Sequence, residues 1–299
     1  NITAMNYLDS YVEFLRRFLA PTRPLKIVLD CSDGVTGVVL SRLFSGAKNL
    51  EVVLINAEPN PDFPSHGPNP LARSAMRKVT DAIKREQADF GAIFDADGDR
   101  VFFVDNLGAE ISADAAARIM ADEIKTPILV TPNAGYLMRD WREVREGRIG
   151  HAFMKQELRE QNLDFGYESS GHYYFKEFFF CDSGIMALIK IINAVSRSPL
   201  TLRQIVKSFG AVYRLKEKNF RLQSSELVSK KLAQIEAAYG DAAKISKTDD
   251  LRVEAGDWWF SLHISHTEPL LRLNLEAKDK KVFRQKKAEI FSFISDSRP

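Results

Sequence analysis

The feature that most limits the possible folds of this chain is a short acidic segment between two apolar runs. Asp95, Asp97 and Asp99 alternate along the segment, Arg100 follows them, and the flanking residues 90–94 and 101–104 are apolar. A loop of this kind between two buried strands brings like charges together, and they repel one another unless a cation lies among them. A hard divalent cation with oxygen ligands would relieve that repulsion. A solvated acidic turn is the alternative for this segment taken alone.

An EF-hand is a second alternative, because its loop also begins with aspartates at alternate positions. That loop needs glycine at position 6 and a carboxylate at position 12. Arg100 and Asn106 occupy these positions, and the flanks alternate as strands do. The pattern therefore favours a loop at a strand end that holds Mg²⁺ for phosphate chemistry.

The composition limits the class of protein and its partners. The chain has 299 residues, of which 45% are hydrophobic and 27% charged, which is typical of a soluble globular protein of two or three domains. Its net charge of +2 gives no reason to expect nucleic acid or an anionic membrane as a partner, and no segment has the ~18 apolar residues of a membrane helix. Cys31 and Cys181 lie far apart and form no CxxC motif, so we expect reduced thiols and a cytoplasmic location. Because the first residue is Asn1, we expect a processed or truncated product.

The first predicted domain, residues 1–106, alternates strands and helices. Its helices are expected at residues 7–18, 35–44 and 71–87, and its strands at residues 25–29, 51–55 and 90–94. Residues 59–70 contain five prolines and are expected to form an ordered irregular loop. In open α/β sheets ligands gather at the carboxyl ends of strands, which is where Asp95 follows its strand.

A second α/β domain is predicted at residues 107–208 and a third, smaller domain at residues 209–299. Ser112 is expected to cap a helix over residues 113–125, and an aromatic strand pair is expected over residues 173–180. Short strands and two helices, at residues 225–238 and 281–294, indicate an α+β arrangement in the third domain. The predicted fold class is therefore α/β: two consecutive α/β domains with mixed sheets, plus a smaller C-terminal α+β domain.

Three further segments carry polar groups suited to chemistry. Glu168, Ser170 and His172 lie in one short loop with Gly166 and Gly171 and could bind adjacent sugar hydroxyls, with a plain polar loop as the alternative. His151 and Lys155 are four residues apart and would share a helix face, where they could contact phosphate, transfer protons or simply form a surface pair. The third segment is a turn between two apolar strands that could bind an anion, formed by Ser265, His266 and Thr267 with Arg272 following.

Taken together, these segments resemble the α-D-phosphohexomutase family, which includes phosphomannomutases and phosphoglucomutases, over nearly the whole chain. The family's DxDxDR metal loop matches Asp95 to Arg100, and its GExSGH sugar loop matches residues 167–172, with tyrosine at the second glycine. Its VGHxFIK-like segment matches residues 149–155, and its RxSxTEP phosphate loop matches residues 263–269. Residues 63–70 also look like a family loop.

Three departures from the family pattern stand out. The family's first domain carries a TASHNP-like loop whose serine is phosphorylated, and no such motif occurs among these 299 residues. The chain therefore resembles domains two to four only. His263 stands where the family usually has arginine, and it cannot form a bidentate clamp on phosphate. The family's strand-end lysine is also not evident near residues 130–133.

The resemblance implies interconversion of hexose 6-phosphate and hexose 1-phosphate through a bisphosphate, with Mg²⁺ on the three aspartates. Glu168 and Ser170 would then bind sugar hydroxyls, and Arg100 would help to hold the transferred phosphoryl group. The distal phosphate would be held by His263, Ser265, His266, Thr267 and Arg272. The proton-transfer group could be His151, Lys155 or His172, and the resemblance does not distinguish among them. A non-catalytic remnant or partner subunit that binds metal and phosphosugar is the alternative, and the residues do not distinguish glucose, mannose and N-acetylglucosamine.

Overall fold

The computed structural model describes residues 7–240, 243–247, 251–264 and 269–295. The chain divides into two compact units. The first contains residues 1–129 and 154–209, and the second contains residues 130–153 and 210–299. The predicted domain boundaries after residues 106 and 208 stay predictions.

The secondary structure alternates between helices and strands through the first half of the chain and becomes strand-rich near the end. The elements are α1 (Tyr7–Arg16), β1 (Leu25–Asp30), α2 (Thr36–Leu43), β2 (Leu50–Ile55), α3 (Arg73–Glu86), β3 (Phe90–Phe94), β4 (Val101–Asp105), β5 (Glu110–Ile111), α4 (Ala113–Met120), β6 (Ile128–Val130), α5 (Tyr136–Arg139), β7 (Val144–Glu146), α6 (His151–Glu160), β8 (Phe165–Tyr167), β9 (Tyr173–Phe175), a 3-10 turn (Lys176–Phe178), β10 (Cys181–Asp182), α7 (Gly184–Arg197), α8 (Leu202–Ser208), β11 (Tyr213–Arg221), α9 (Ser225–Tyr239), β12 (Lys244–Ser246), β13 (Leu251–Ala255), β14 (Trp258–Ile264), β15 (Leu270–Ala277) and α10 (Lys280–Ser295).

The first sheet of the first unit is mixed and has the strand order β2-β1-β3-β4-β5. β1 pairs in parallel with β2 and β3, whereas β3–β4 and β4–β5 are antiparallel. Every residue of β3 and β4 is buried, as expected for strands covered on both faces. Asp30, the last residue of β1, pairs with Ile93 of β3, so both strands end at the same edge of the sheet. The acidic loop begins at that edge.

A second sheet in the first unit includes strands in the order β10-β9-β8-β6. β9 pairs antiparallel with both β8 and β10, and the loop that joins β8 to β9 contains Glu168 and His172. α7 is almost entirely buried, and the Ser183 hydroxyl caps it by accepting a hydrogen bond from the backbone of Met186. The sheet and α7 thus fix both ends of the chain segment that carries the sugar loop.

The second unit contains a five-stranded antiparallel sheet with the order β11-β15-β14-β13-β12. Leu271, Leu273 and Leu275 of β15 belong to a core cluster that also contains residues of α9 and α10. Because side chains alternate along a strand, Arg272 and Asn274 lie on the other face, which carries the polar residues.

The α/β fold class with mixed sheets is confirmed, and so is the cap at Ser112, whose hydroxyl accepts a hydrogen bond from Ala115 N. The predicted helix over residues 113–125 is too long, because α4 ends at Met120. Pro127 follows shortly after, and a residue before proline disfavours the helical conformation.

The predicted aromatic strand pair is wrong beyond Phe175. The chain enters the 3-10 turn there, and Phe179 and Phe180 have φ values of +60° and +61°. Such left-handed backbone angles are rare for bulky residues and incompatible with a strand. The sequence patterns also missed short elements, namely β5, α5, β7, β8, β10, α8, β12 and β13.

Among the residues that the structure describes, no single helix is long and apolar enough to cross a membrane. α7 and α8 meet the length and composition criteria only as a pair, and the chain bends by 86° between them.

Candidate functional site

The acidic loop leaves β3 and returns as β4, and a glycine makes its tight path possible. Gly98 has a φ of +77°, and a Cβ atom at this position would lie 2.1 Å from Cγ2 of Thr36. Any side chain at residue 98 would therefore be strained by its backbone angle and would also collide with α2.

Asp95 organises the backbone of this loop. Its Oδ1 atom accepts hydrogen bonds from the backbone N–H groups of Gly98, at 3.1 Å, and Arg100, at 3.2 Å. Its Oδ2 atom accepts a third from Nε of Arg100 at 2.5 Å. With only 1% of Asp95 exposed, these bonds replace those that water would make to a buried carboxylate.

The three carboxylates converge and fit a hard cation. Asp95, Asp97 and Asp99 each offer an oxygen atom, and these atoms lie within 4.8 Å of one another. Oδ1 of Asp99 is buried and accepts no hydrogen bond from any described residue. Burial, together with the charges of Asp95 and Asp97 and against the opposite effect of His172, raises the pKa of Asp99 to about 6. Nε of Arg100 lies 3.7 Å from this oxygen atom, too far for a hydrogen bond. A divalent cation would bind the oxygen atom and remove the repulsion, and an all-oxygen donor set is the one that Mg²⁺ prefers.

Two residues that follow β1 donate hydrogen bonds to backbone carbonyl groups at the start of the acidic loop. Val35 N donates a hydrogen bond to the carbonyl oxygen of Ala96 at 3.0 Å, and Ser32 Oγ donates to that of Phe94 at 2.5 Å. Next to them, His66 Nε2 lies 3.2 Å from Oδ2 of buried Asp30, which ties the proline-rich loop to the end of β1. These contacts were not predictable from the sequence, because their partners are up to 62 residues apart.

The sugar loop folds back tightly at the end of β8. Glu168 N donates to the carbonyl oxygen of His172 at 3.0 Å, and Gly171 N donates to that of Glu168 at 3.1 Å. The Glu168 carboxylate is buried and accepts a hydrogen bond from the Tyr174 hydroxyl at 2.6 Å. Burial raises the pKa of Tyr174, and the neighbouring charge of Glu168 raises it further, so this hydroxyl stays protonated as a donor. Ser170 lies at the exposed tip.

The acidic loop and the sugar loop lie side by side. Val101 N donates a hydrogen bond to the carbonyl oxygen of Gly171 at 3.2 Å, and Arg100 and His172 form an isolated β-bridge. His172 Nδ1 lies 3.7 Å from Oδ2 of Asp99. The structure thus brings together Asp95, Asp97, Asp99, Arg100, Glu168, Ser170 and His172, which were predicted from separate motifs.

A residue that the sequence reasoning missed, Asp182, lies between two predicted site residues. Its carboxylate is 2.9 Å from Nζ of Lys155 and 2.9 Å from Nδ1 of His172. Burial opposes ionisation of Asp182, but the hydrogen bonds from His172 and Lys155 outweigh it and lower its pKa to about 2. Burial likewise lowers the pKa of His172, yet the hydrogen bond to Asp182 and the charge of Asp99 raise it overall. A lone carboxylate beside an apolar run was the only signal that the sequence offered.

Asp99, His172 and Asp182 also lie close enough to suggest a second metal group. Lys155 and His172 already neutralise the two oxygen atoms of Asp182, whereas Asp97 has no such partner among the described residues. The three aspartates of the acidic loop are therefore the better cation site.

The remaining predicted residues fall in three places. His151 is the exposed first residue of α6 and belongs to the second unit, so its role stays a prediction. Ser265, His266 and Thr267 lie outside the described residues. His263 and Arg272 pair across β14 and β15 at the strand ends next to them, and Nε of Arg272 is buried without a hydrogen-bond partner among the described residues.

Comparisons with known proteins agree with this arrangement. The family model for phosphoglucomutase/phosphomannomutase α/β/α domain II matches residues 6–108, and the model for domain III matches residues 135–213. A phosphomannomutase of Methanocaldococcus jannaschii is 31% identical over 97% of this chain and 66% of its own length. A phosphomannomutase of Escherichia coli is 30% identical over 97% of this chain and 67% of its own length.

Solved structures show the same fold. A phosphoglucomutase/phosphomannomutase family protein from Burkholderia thailandensis superposes with a TM-score of 0.83 at 25% identity, over 98% of this chain and 66% of that one. N-acetylphosphoglucosamine mutase of Aspergillus fumigatus, solved with GlcNAc-6P and magnesium, has a TM-score of 0.64 at 13% identity, over 97% of this chain and 69% of that one. The chain thus spans about two thirds of the length of these proteins.

Proposed function

Because the chain belongs to the phosphoglucomutase/phosphomannomutase family, we propose that it supplies the metal-binding and sugar-binding parts of a phosphohexomutase. Such an enzyme, an isomerase, interconverts hexose 6-phosphate and hexose 1-phosphate through a bisphosphate. The observation that carries the proposal is the contact between the acidic loop and the sugar loop, where Asp99 faces His172 at 3.7 Å. A cytoplasmic location is part of the same proposal.

In this proposal Asp95, Asp97 and Asp99 hold Mg²⁺. The ion would supply positive charge that stabilises a phosphoryl group during transfer. Arg100 would add a second positive charge, and its bond to Asp95 keeps its Nε atom beside the loop. Support for the metal comes from the buried Oδ1 of Asp99 and from the magnesium bound in the Aspergillus fumigatus mutase.

Glu168 and Ser170 would bind hydroxyl groups of the hexose. The buried Glu168 carboxylate is held by Tyr174, so its direction is fixed before a sugar arrives, which lowers the entropic cost of binding. Ser170 is exposed and free to turn, and it could follow a sugar that binds in two orientations.

Of the three candidates for proton transfer, we favour His172. It lies in the sugar loop next to the acidic loop, and although burial lowers its pKa, the hydrogen bond to Asp182 and the charge of Asp99 raise that pKa overall. Histidine is also the side chain that most often transfers protons in enzymes. Lys155 is engaged with Asp182 and would act through it. His151 remains a weaker candidate.

Transfer of a phosphoryl group also needs a nucleophile. None of the 299 residues forms the family's phosphoserine motif, so the serine would come from a segment or domain outside this sequence. In the second unit, His263, Ser265, His266, Thr267 and Arg272 would bind the phosphate that does not react.

Calorimetric titration with glucose 1-phosphate and mannose 1-phosphate tests the sugar-binding part. We expect Glu168→Gln to weaken binding at least tenfold, because a charged hydrogen bond to the sugar is lost. Glu58→Gln changes an exposed glutamate of the same unit and should have no effect. If both variants bind as the wild type does, the sugar-binding assignment is wrong. If the wild type binds sugar and Mg²⁺ but shows no phosphoryl transfer with any phosphoserine donor, the non-catalytic alternative is favoured.

A further inference from the structure

Two paired residues of the second sheet each contact one polar residue of the sugar loop. Tyr174 of β9 and Asp182 of β10 pair directly across the two strands. The Tyr174 hydroxyl holds Glu168 at 2.6 Å, and the Asp182 carboxylate holds His172 at 2.9 Å. The Tyr174 and His172 rings also stack, with centroids 6.3 Å apart.

The Asp182 carboxylate has little freedom to turn. Lys155 contacts its Oδ1 atom and His172 contacts its Oδ2 atom, both at 2.9 Å, and its side chain is only 5% exposed. The backbone on one side is paired in the sheet, and on the other Ser183 caps the buried helix α7. The position of this carboxylate is thus fixed by three separate elements.

We propose that Asp182 is a positioning residue that orients His172 by accepting a hydrogen bond from its Nδ1–H group. This inference rests on the proposed role of His172 in proton transfer. In a neutral imidazole, a hydrogen-bond acceptor beside one ring nitrogen keeps the proton on that nitrogen and leaves the other nitrogen unprotonated. When Nδ1 keeps its proton for Asp182, the lone pair of the neutral ring is on Nε2, and Nε2 becomes the atom that takes or returns a proton.

The other charged groups that face His172 are less suited to this task. Asp99 Oδ2 lies farther from Nδ1, at 3.7 Å, and the Asp99 side chain is 34% exposed. Asp99 is also a proposed metal ligand, so its charge would be shared with the ion. Glu168 acts on His172 through its charge, while its Oε2 atom is engaged with Tyr174. Asp182 combines the shorter distance with the stronger burial.

Nitrogen-15 NMR of the histidine rings tests the proposal without substrate or metal. The His172 signals are assigned by their loss in His172→Gln. In the wild type we expect neutral His172 to be the Nδ1–H tautomer. In Asp182→Leu, which removes both acceptor oxygen atoms, the ring should change to a mixture dominated by Nε2–H.

Asp105→Asn is the matched control for a structural effect. Asp105 is another buried carboxylate of the first unit, paired with Arg203 at 2.7 Å, so its loss should lower stability and leave the His172 tautomer unchanged. A wild-type His172 in the Nε2–H form would overturn the proposal even if Asp182→Leu does not fold. An unchanged tautomer in a folded Asp182→Leu would overturn it as well. Because the NMR samples contain no sugar, the observed tautomer of His172 does not depend on the result of the sugar-binding test above.

Discussion

The three aspartates of the acidic loop differ in what they do before any ligand binds. Asp95 is buried and accepts hydrogen bonds from the loop backbone and from the Arg100 side chain, so it stabilises the loop conformation. Asp97 is exposed and makes no hydrogen bond or ion pair with the residues that the structure describes. Asp99 is half-buried, and no described residue donates a hydrogen bond to its buried Oδ1 atom. Substitution of Asp97 therefore separates metal binding from folding.

We expect Asp97→Ala to lose detectable Mg²⁺ binding while its free energy of unfolding stays within about 0.5 kcal/mol of the wild type. Calorimetric titration with MgCl₂ measures the first quantity and urea unfolding the second. Asp62→Ala, at another exposed aspartate of the first unit, should bind Mg²⁺ as the wild type does. Equal binding by Asp97→Ala and the wild type would contradict the metal assignment.

His263 and Arg272 form a cross-strand pair, and we consider variants of both at pH 8. His263→Arg should tighten hexose phosphate binding at this pH by roughly 1–2 kcal/mol, because a charge-assisted hydrogen bond is gained. Arg272→Gln should weaken it, since the guanidinium is lost. Calorimetry with glucose 1-phosphate measures both, and Arg284→Gln on the exposed side of α10 is the control. If neither variant changes the affinity, the second unit does not bind the phosphate.

At the scale of elements, the acidic loop depends on its fit against α2. Gly46 provides a natural comparison with Gly98, because its φ of +71° is similar and a Cβ atom there would meet nothing within 4 Å. The two glycines thus share the left-handed backbone but differ in the space around them.

Gly46→Ala should lower the free energy of unfolding by about 1–2 kcal/mol, the cost of a left-handed residue with a side chain. Gly98→Ala should lower it by roughly 2–5 kcal/mol, because overpacking against Thr36 is added. Gly98→Ala should also weaken Mg²⁺ binding, whereas Gly46→Ala should not. Urea midpoints and calorimetry provide the measurements, and equal destabilisation by both variants would show that the close approach to Thr36 does not matter.

The regular elements were predictable from the sequence where apolar spacing and caps agreed, as in β3 and at the Ser112 cap of α4. The end of β9 was not, because an aromatic run favours a strand and only tertiary contacts hold Phe179 in a left-handed conformation against Phe14. For the site, the motifs predicted the carboxylates and the sugar loop. Asp182 escaped prediction because its role depends on a strand register that brings it opposite Tyr174.

At the scale of the whole molecule, the chain contains the residues that we propose bind a phosphosugar, but its 299 residues include no phosphoserine motif. We therefore expect no mutase turnover by the 299-residue chain on glucose 1-phosphate or mannose 1-phosphate. A coupled assay with a hexose 1,6-bisphosphate activator provides the measurement. Turnover that survives rigorous purification and disappears in Asp97→Ala would show that another residue of this chain carries the phosphoryl group.

We propose that the acidic loop and the sugar loop form one site, in which case the binding of Mg²⁺ and of a sugar phosphate should be thermodynamically linked. The affinity for glucose 1-phosphate is measured by calorimetry with and without saturating Mg²⁺, in the wild type and in Asp97→Ala. We predict that Mg²⁺ tightens sugar phosphate binding roughly fivefold or more in the wild type, because the ion offsets repulsion between the carboxylates and the phosphate. By reciprocity the sugar phosphate should tighten Mg²⁺ binding by the same factor, and Asp97→Ala should show no coupling. Sugar phosphate affinity that is the same with and without Mg²⁺ in the wild type would contradict the claim.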